Sequence, residues 1–255
     1  IWQRYSNGSY SGVPNGSYVA DRWIITSSNG DITSNLTAVT PYGGIKNATG
    51  PNCRITQRLE NAAQFNGMTL TLSVLKNTGL YTATKVANGW NDTTDIFGGF
   101  SSKTAWLNAG ETILAVKLEL GPTQTLAHRE GDRWVLNEVP QFGRDLAEGQ
   151  RYFWRFSPPQ YVAGAIAFGL DKNTARAMIY LPEQMRTSPT LNLNASAGLF
   201  LTGASGDIFD VTVSGVWTTA NAVCVDFKKD GAFEVNAPYF VRGDTSAYID
   251  ISADL

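Results

Sequence analysis

Trp90 stands in the run NGWNDTTD, residues 88–95, and Trp217 in GVWTTAN, residues 215–221. Both stretches read as polar loops that set an aromatic ring among Asn, Asp and Thr. That mixture suits a sugar, because a ring stacks on apolar C–H faces while amides and carboxylates pair with hydroxyls. Asn91 and Asp92 are the candidate hydroxyl partners beside Trp90. The alternative for either Trp is core packing, since the chain has 7 Trp, 10 Tyr and 12 Phe to place. Arg54 and Arg58 fall on one face of an alternating run and could meet an acidic sugar through charge-assisted hydrogen bonds. They could equally pair with a surface carboxylate such as Glu60.

Paired carboxylates raise the question of glycoside hydrolysis. Asp92 with Asp95 and Asp207 with Asp210 are the nearest pairs, yet closeness along a loop does not set two carboxyls across a glycosidic bond. The same oxygens could hold a Ca²⁺, either at Asn29 and Asp31 or at Asn91, Asp92 and Asp95. No EF-hand spacing accompanies them. The single His, His128, gives a Ser–His–Asp arrangement little to build on. With only Cys53 and Cys224 beside it, a zinc site is not expected either. A nucleophile elbow, a P-loop and a dinucleotide fingerprint are absent. Arg242-Gly243-Asp244 spells an integrin-binding tripeptide, read here as chance beside a turn.

These residues need elements to hold them, and composition says which. Only 16% of the 255 residues are charged, and Gly, Thr, Ser and Asn are plentiful. That balance favours strands and turns over helices. Net charge is −2 and no Lys/Arg run exceeds two, so no basic stripe for nucleic acid is expected. No stretch approaches the roughly 20 apolar residues of a membrane-spanning helix. Alternation marks strands at 18–27, 53–60, 69–76 and 112–120, then at 161–170, 174–181, 207–213, 222–227 and 247–251. Asn-Gly and Gly-Gly pairs punctuate them. Between the two series alternation lapses and charges gather in HREGDR, residues 128–133. The reading is an all-β chain of two tandem β-sandwich, jelly-roll-like domains: 1–121, a connector at 122–149 ending in a short helix near 144–152, and 150–255.

Five segments carry a resemblance: ITQRLENAAQFNGMTLTLSVLKN at 55–77, AVKLELGP at 115–122, QRYFWRF at 150–156, IYLPEQMRTSPTL at 179–191 and AYIDISADL at 247–255. In this order they resemble the receptor-binding end of bacteriophage tail fibres and related virion spikes, including those of gene-transfer particles. There a carbohydrate-binding-module-like jelly roll precedes a second β-domain. Gly149 departs from the family, which has Cys before QRY. The resemblance implies display on a phage or phage-like particle and non-catalytic binding of bacterial cell-surface polysaccharide. It implies a trimer, and an N-terminal region before Ile1 that joins other virion proteins. The alternatives are a structural decoration protein and a polysaccharide-degrading enzyme.

Overall fold

The structure, a computed structural model, describes residues 9–10, 15–20, 22–26, 35–39, 44–49, 53–97, 99–100, 106–138, 141–158, 160, 162–193, 196–244 and 246–253. Among them it is all-β, as the alternation requires, with one α-helix, α1 (Phe142–Gln150). The chain divides into two compact units, Ile1–Asp145 and Leu146–Leu255.

The first unit holds β1 (Ser9–Tyr10), β2 (Tyr18–Ala20), β3 (Trp23–Thr26), β4 (Asn35–Val39), β5 (Gly44–Thr49), β6 (Cys53–Thr56), β7 (Thr69–Lys76), β8 (Gly79–Val86), β9 (Trp106–Leu107), β10 (Thr112–Leu120), β11 (Ala127–Glu130) and β12 (Arg133–Leu136). Six of these form a sheet in the order β1-β4-β5-β10-β7-β8, and four form β2-β3-β6-β9. Ile25, Cys53, Ile55 and Leu107 of the smaller sheet share a core with Ile45, Leu72, Val74 and Ile113 of the larger. The two sheets therefore pack face to face.

β7 departs from the expected pattern of one buried side. Every residue from Leu70 to Lys76 is buried. Its second face is covered by the β11–β12 hairpin, where Leu126 and Ala127 pack on Leu75, joined by Leu80, Leu114, Trp134 and Leu136. This corrects the expected connector: residues 127–136 are a folded part of the first unit. Their strands are four residues each, β11 mostly exposed and β12 half-buried, too short for hydrophobic alternation to announce them.

The second unit holds β13 (Phe153–Phe156), β14 (Ala165–Gly169), β15 (Thr174–Tyr180), β16 (Thr190–Asn192), β17 (Leu199–Gly203), β18 (Gly206–Ile208), β19 (Thr212–Thr218), β20 (Ala222–Lys228), β21 (Pro238–Gly243) and β22 (Ile249–Ser252). Seven strands run β18-β17-β21-β14-β15-β20-β19, and three run β13-β22-β16. The core between them takes Ala167, Ala177, Ile179, Leu201, Val223, Val225, Phe227 and Val241 from the larger sheet, and Phe156, Ile249 and Ile251 from the smaller. One face of the seven-stranded sheet is thus committed to the core. The other is where the site lies.

Candidate functional site: the open face of the seven-stranded sheet

Alternation fixes which side chains point outward. In β14 the inward Ala167 and Gly169 are buried while Ile166 and Phe168 are exposed. In β15 Ala175, Ala177 and Ile179 are buried while Met178 and Tyr180 are exposed. In β21 Tyr239, Val241 and Gly243 are buried and Phe240 is exposed. In β14 and at Ala175 and Ala177 of β15 the core side is small, while the large apolar Ile166, Phe168, Met178, Tyr180 and Phe240 face out.

Register assembles these outward residues into rows. Trp217 faces Cys224, and Cys224 faces Met178. Ile166 lies one step beyond the Ala167–Ala177 pair, beside Met178, and itself faces Phe240. Phe240 faces Thr202. Six strands at ~4.8 Å spacing make this row about 24 Å long. The adjacent row reads Ser214, Asp226, Arg176, Phe168. A groove of about 810 Å³ takes in Ile166, Phe168, Met178, Tyr180 and Trp217 of this face and extends to Trp154 of β13 and the core-facing Ile179. Trp217 is 41% exposed, Phe168 53% and Tyr180 74%.

The polar groups on the face are few. Arg176 donates from Nε and Nη2 to the two carboxylate oxygens of Asp226, at 2.7 and 3.0 Å. That hydrogen-bonded carboxylate raises the guanidinium pKa further. Cys224 is buried in the row, and burial pushes its thiol pKa up. The Tyr180 hydroxyl and the Trp217 indole N–H supply further hydrogen-bonding groups beside apolar rings.

Trp217 therefore sits on a strand, at the bulge between Gly215 and Trp217, and not in the loop expected from its neighbours. Trp90 needs a correction. It is 5% exposed and packs edge-on against Phe65 and Phe100, so it offers no ring to a sugar. Its backbone is clamped by Asn66, whose Oδ1 accepts from Trp90 N at 2.8 Å while Nδ2 donates to Trp90 O at 3.0 Å. The polar residues after it close a turn. Asn91 Oδ1 accepts from Thr93 N and Oγ1, and Asn91 N donates to Thr94 Oγ1. Asp92 is exposed on that turn.

Arg54 is also engaged: Nη2 meets Asp95 Oδ2 at 3.1 Å and Nε donates to Thr26 Oγ1 at 3.3 Å. Its partner is Asp95, not Glu60. Arg58 is exposed at an isolated bridge opposite Asp95. Asp95 also accepts from Phe97 N, so it is a structural acceptor, which corrects its reading as a Ca²⁺ ligand. Asn29 and Asp31 lie outside the described residues. Among the described residues no group of three or more His, Cys, Asp or Glu could hold a metal ion. Asp207 accepts from Thr202 Oγ1 at 2.5 Å, and Asp210 holds a left-handed turn with φ 56°. Both act as local turn chemistry.

Reasoning from loops missed Phe168, Met178 and Tyr180. A signal is present: AIAFG is apolar on both faces, and TARAMIY sets Met178 and Tyr180 opposite Ala177 and Ile179, and a strand with apolar residues on both faces has something to cover on each. No protein-family model, curated protein or solved structure matches the chain.

Proposed function

We propose that the chain is a non-catalytic binding module for host-cell-surface polysaccharide, capsule or another glycan, carried by the fibre or spike of a phage or phage-like particle. The site is the open sheet face of the second unit. The observation that carries this reading is the groove with Trp217, Tyr180 and Phe168 exposed along it. Rings mounted on paired strands are held at fixed spacing, so a stacked sugar needs little reordering of the protein. The groove volume lies within the roughly 300–1,000 Å³ usual for ligand sites. The Arg176–Asp226 pair, the Tyr180 hydroxyl and the Trp217 N–H supply hydrogen bonds at its sides. Asp226, the carboxylate in the groove's neighbouring row, is held by both its oxygens, which suits recognition better than proton transfer.

The test is binding of purified protein to host cells with and without capsule, alongside Trp217→Ala and Tyr180→Ala. Capsule-dependent binding that falls in both variants supports the reading. Release of reducing ends from the polysaccharide would show an enzyme instead.

One observation favours a second reading. Ile166, Leu170 and Met178 are exposed among the rings, and a sugar has little use for aliphatic surface. The face could seat a second copy of the chain, giving the trimer that the resemblance implies, or another virion protein in a decoration role. Light scattering separates these readings. A stable trimer that Met178→Glu dissociates would transfer the face from glycan to assembly.

A further inference from the structure

We infer that the glycan is acidic and that Arg242 takes its carboxylate; this rests on the glycan reading above. Arg242 lies on β21, two residues from Phe240 and on the same face, because Tyr239, Val241 and Gly243 between and beyond them point into the core. Two residues along a strand is about 7 Å. Phe240 in turn faces Ile166, a lining residue of the groove. Across the strand pair Arg242 faces Phe200, whose ring stacks on Phe209 at 4.8 Å. Arg242 therefore has Phe240 and Phe200 as neighbours, in the row next to the one that begins at Trp217 and runs through Phe240 to Thr202.

Its hydrogen bonding is incomplete. Arg242 Nε is buried and has no acceptor, and among the described residues no carboxylate pairs with the side chain. Buried polar groups in folded proteins are nearly all paired, and a guanidinium N–H left without an acceptor is costly. Arg176 on the same face shows the satisfied case, since Asp226 takes both its donors. That pair is neutral as a unit. Asp207, at the β18 edge, is two strands from β21 and occupied by Thr202. Asp244, two residues on from Arg242, accepts from Ser246 N and Oγ and makes no ion pair with Arg242, so Arg242 brings a positive charge with no direct carboxylate partner beside the aromatic row. The planar fork of Arg matches a carboxylate through two parallel hydrogen bonds, and flanking rings raise the strength of that contact by excluding water. Arg242 is partly exposed although its Nε is buried, so a sugar stacked along the neighbouring row and bearing a ring carboxylate, as uronates do, would meet this charge at the exposed end of the guanidinium.

The experiment measures affinity of the full chain for alginate, polygalacturonate and hyaluronate, each native and carboxyl-reduced, by titration at low salt. Arg242→Gln, Arg242→Lys and Trp217→Ala are compared, with thermal melts as a folding control. The expected result is binding of at least one native polymer, at least about tenfold weaker binding of its reduced form, and loss of that tenfold preference in Arg242→Gln. Arg242→Lys keeps part of the preference, and Trp217→Ala weakens both forms alike. Equal affinity for native and reduced polymer, or a preference that Arg242→Gln leaves intact, overturns the acidic assignment and leaves the glycan reading standing. Binding of no polymer in either form also overturns it. Failure to bind encapsulated host cells in addition removes the glycan reading itself.

Discussion

Arg176 and Asp226 face each other across β15 and β20, and their side chains join through two hydrogen bonds on the open sheet face. Asp226 is buried, at 7% exposure, while Arg176 is partly open. Arg176→Ala leaves a buried carboxylate without its charge partner. The expected loss is about 1 to 2 kcal/mol, reduced from the fully buried case by solvent at Arg176. Adding Asp226→Ala should cost less than a second independent loss, because the stranded acceptor is gone. Urea titrations of the two single variants and the double variant measure the coupling, and strict additivity would count against the pair.

Lys76 and Glu111 form a more enclosed pair in the first unit. Lys76 Nζ meets Glu111 Oε2 at 3.3 Å and also donates to the Trp106 carbonyl. Burial acts to raise the Glu111 pKa, but the Asn108 N–H and the Lys76 charge outweigh it and hold the carboxyl below its usual 4.5. A carboxyl with a depressed folded-state pKa stabilises the fold above its unfolded value. That stability is lost as pH falls through the folded value. Glu111→Gln should therefore lower the melting temperature at neutral pH, by an amount equivalent to about 2 kcal/mol. The gap to the parent should close as pH falls below 4.5, the carboxyl's usual value. A gap that stays constant on acidification would assign the loss to packing instead of charge.

What the sequence displays depends on where each residue's neighbours come from. β15 and β20 are legible because alternation is a property of the strand itself. The second buried face of β7 is not, since its cover arrives from Leu126 and Ala127, some fifty residues further on. Trp90 misleads for the same reason. Its sequence neighbours are polar, but Phe65, Asn66 and Phe100 close around it in space. Trp217 is exposed from an outward position on β19, although its polar neighbours predict a loop. The rows that join it to Met178, Ile166 and Phe240 exist only through register across strands, which local pattern cannot supply.

The second unit carries its own core, from Phe156 through Ala253, with both sheets contributing. Its ends are tied within it: Ala253 N donates to Tyr152 O at 2.7 Å, and Arg186 N to Arg151 O at 3.0 Å. A fragment of residues 142–255, which keeps α1 whole, should unfold in one cooperative transition. It should also retain the parent's polysaccharide affinity, because every described residue of the groove lies within it. Circular dichroism melts and the binding assay check both parts. A folded fragment with no affinity, beside a parent that binds, would move the site to the first unit.

Trp90 and Trp217 give the most direct separation of folding from binding. Trp90 is enclosed by Phe65 and Phe100 and lies in the cluster with Ala62, Leu70 and Ala87. Trp90→Ala removes a large buried ring and leaves a cavity, at an expected cost of about 3 to 5 kcal/mol. Any molecules that remain folded should bind polysaccharide as the parent does. Trp217 projects from β19 with 41% of its surface exposed, so its loss opens no enclosed cavity. Trp217→Ala should leave the melting temperature nearly unchanged, as surface substitutions do, within about 0.5 kcal/mol. Its effect should fall on affinity, where truncating an aromatic anchor typically costs about 2 kcal/mol, or roughly thirtyfold. The two variants thus predict opposite columns of the same experiment: stability lost with affinity kept, and affinity lost with stability kept. A folded Trp217→Ala protein that binds host polysaccharide as tightly as the parent would remove the open sheet face as the glycan site.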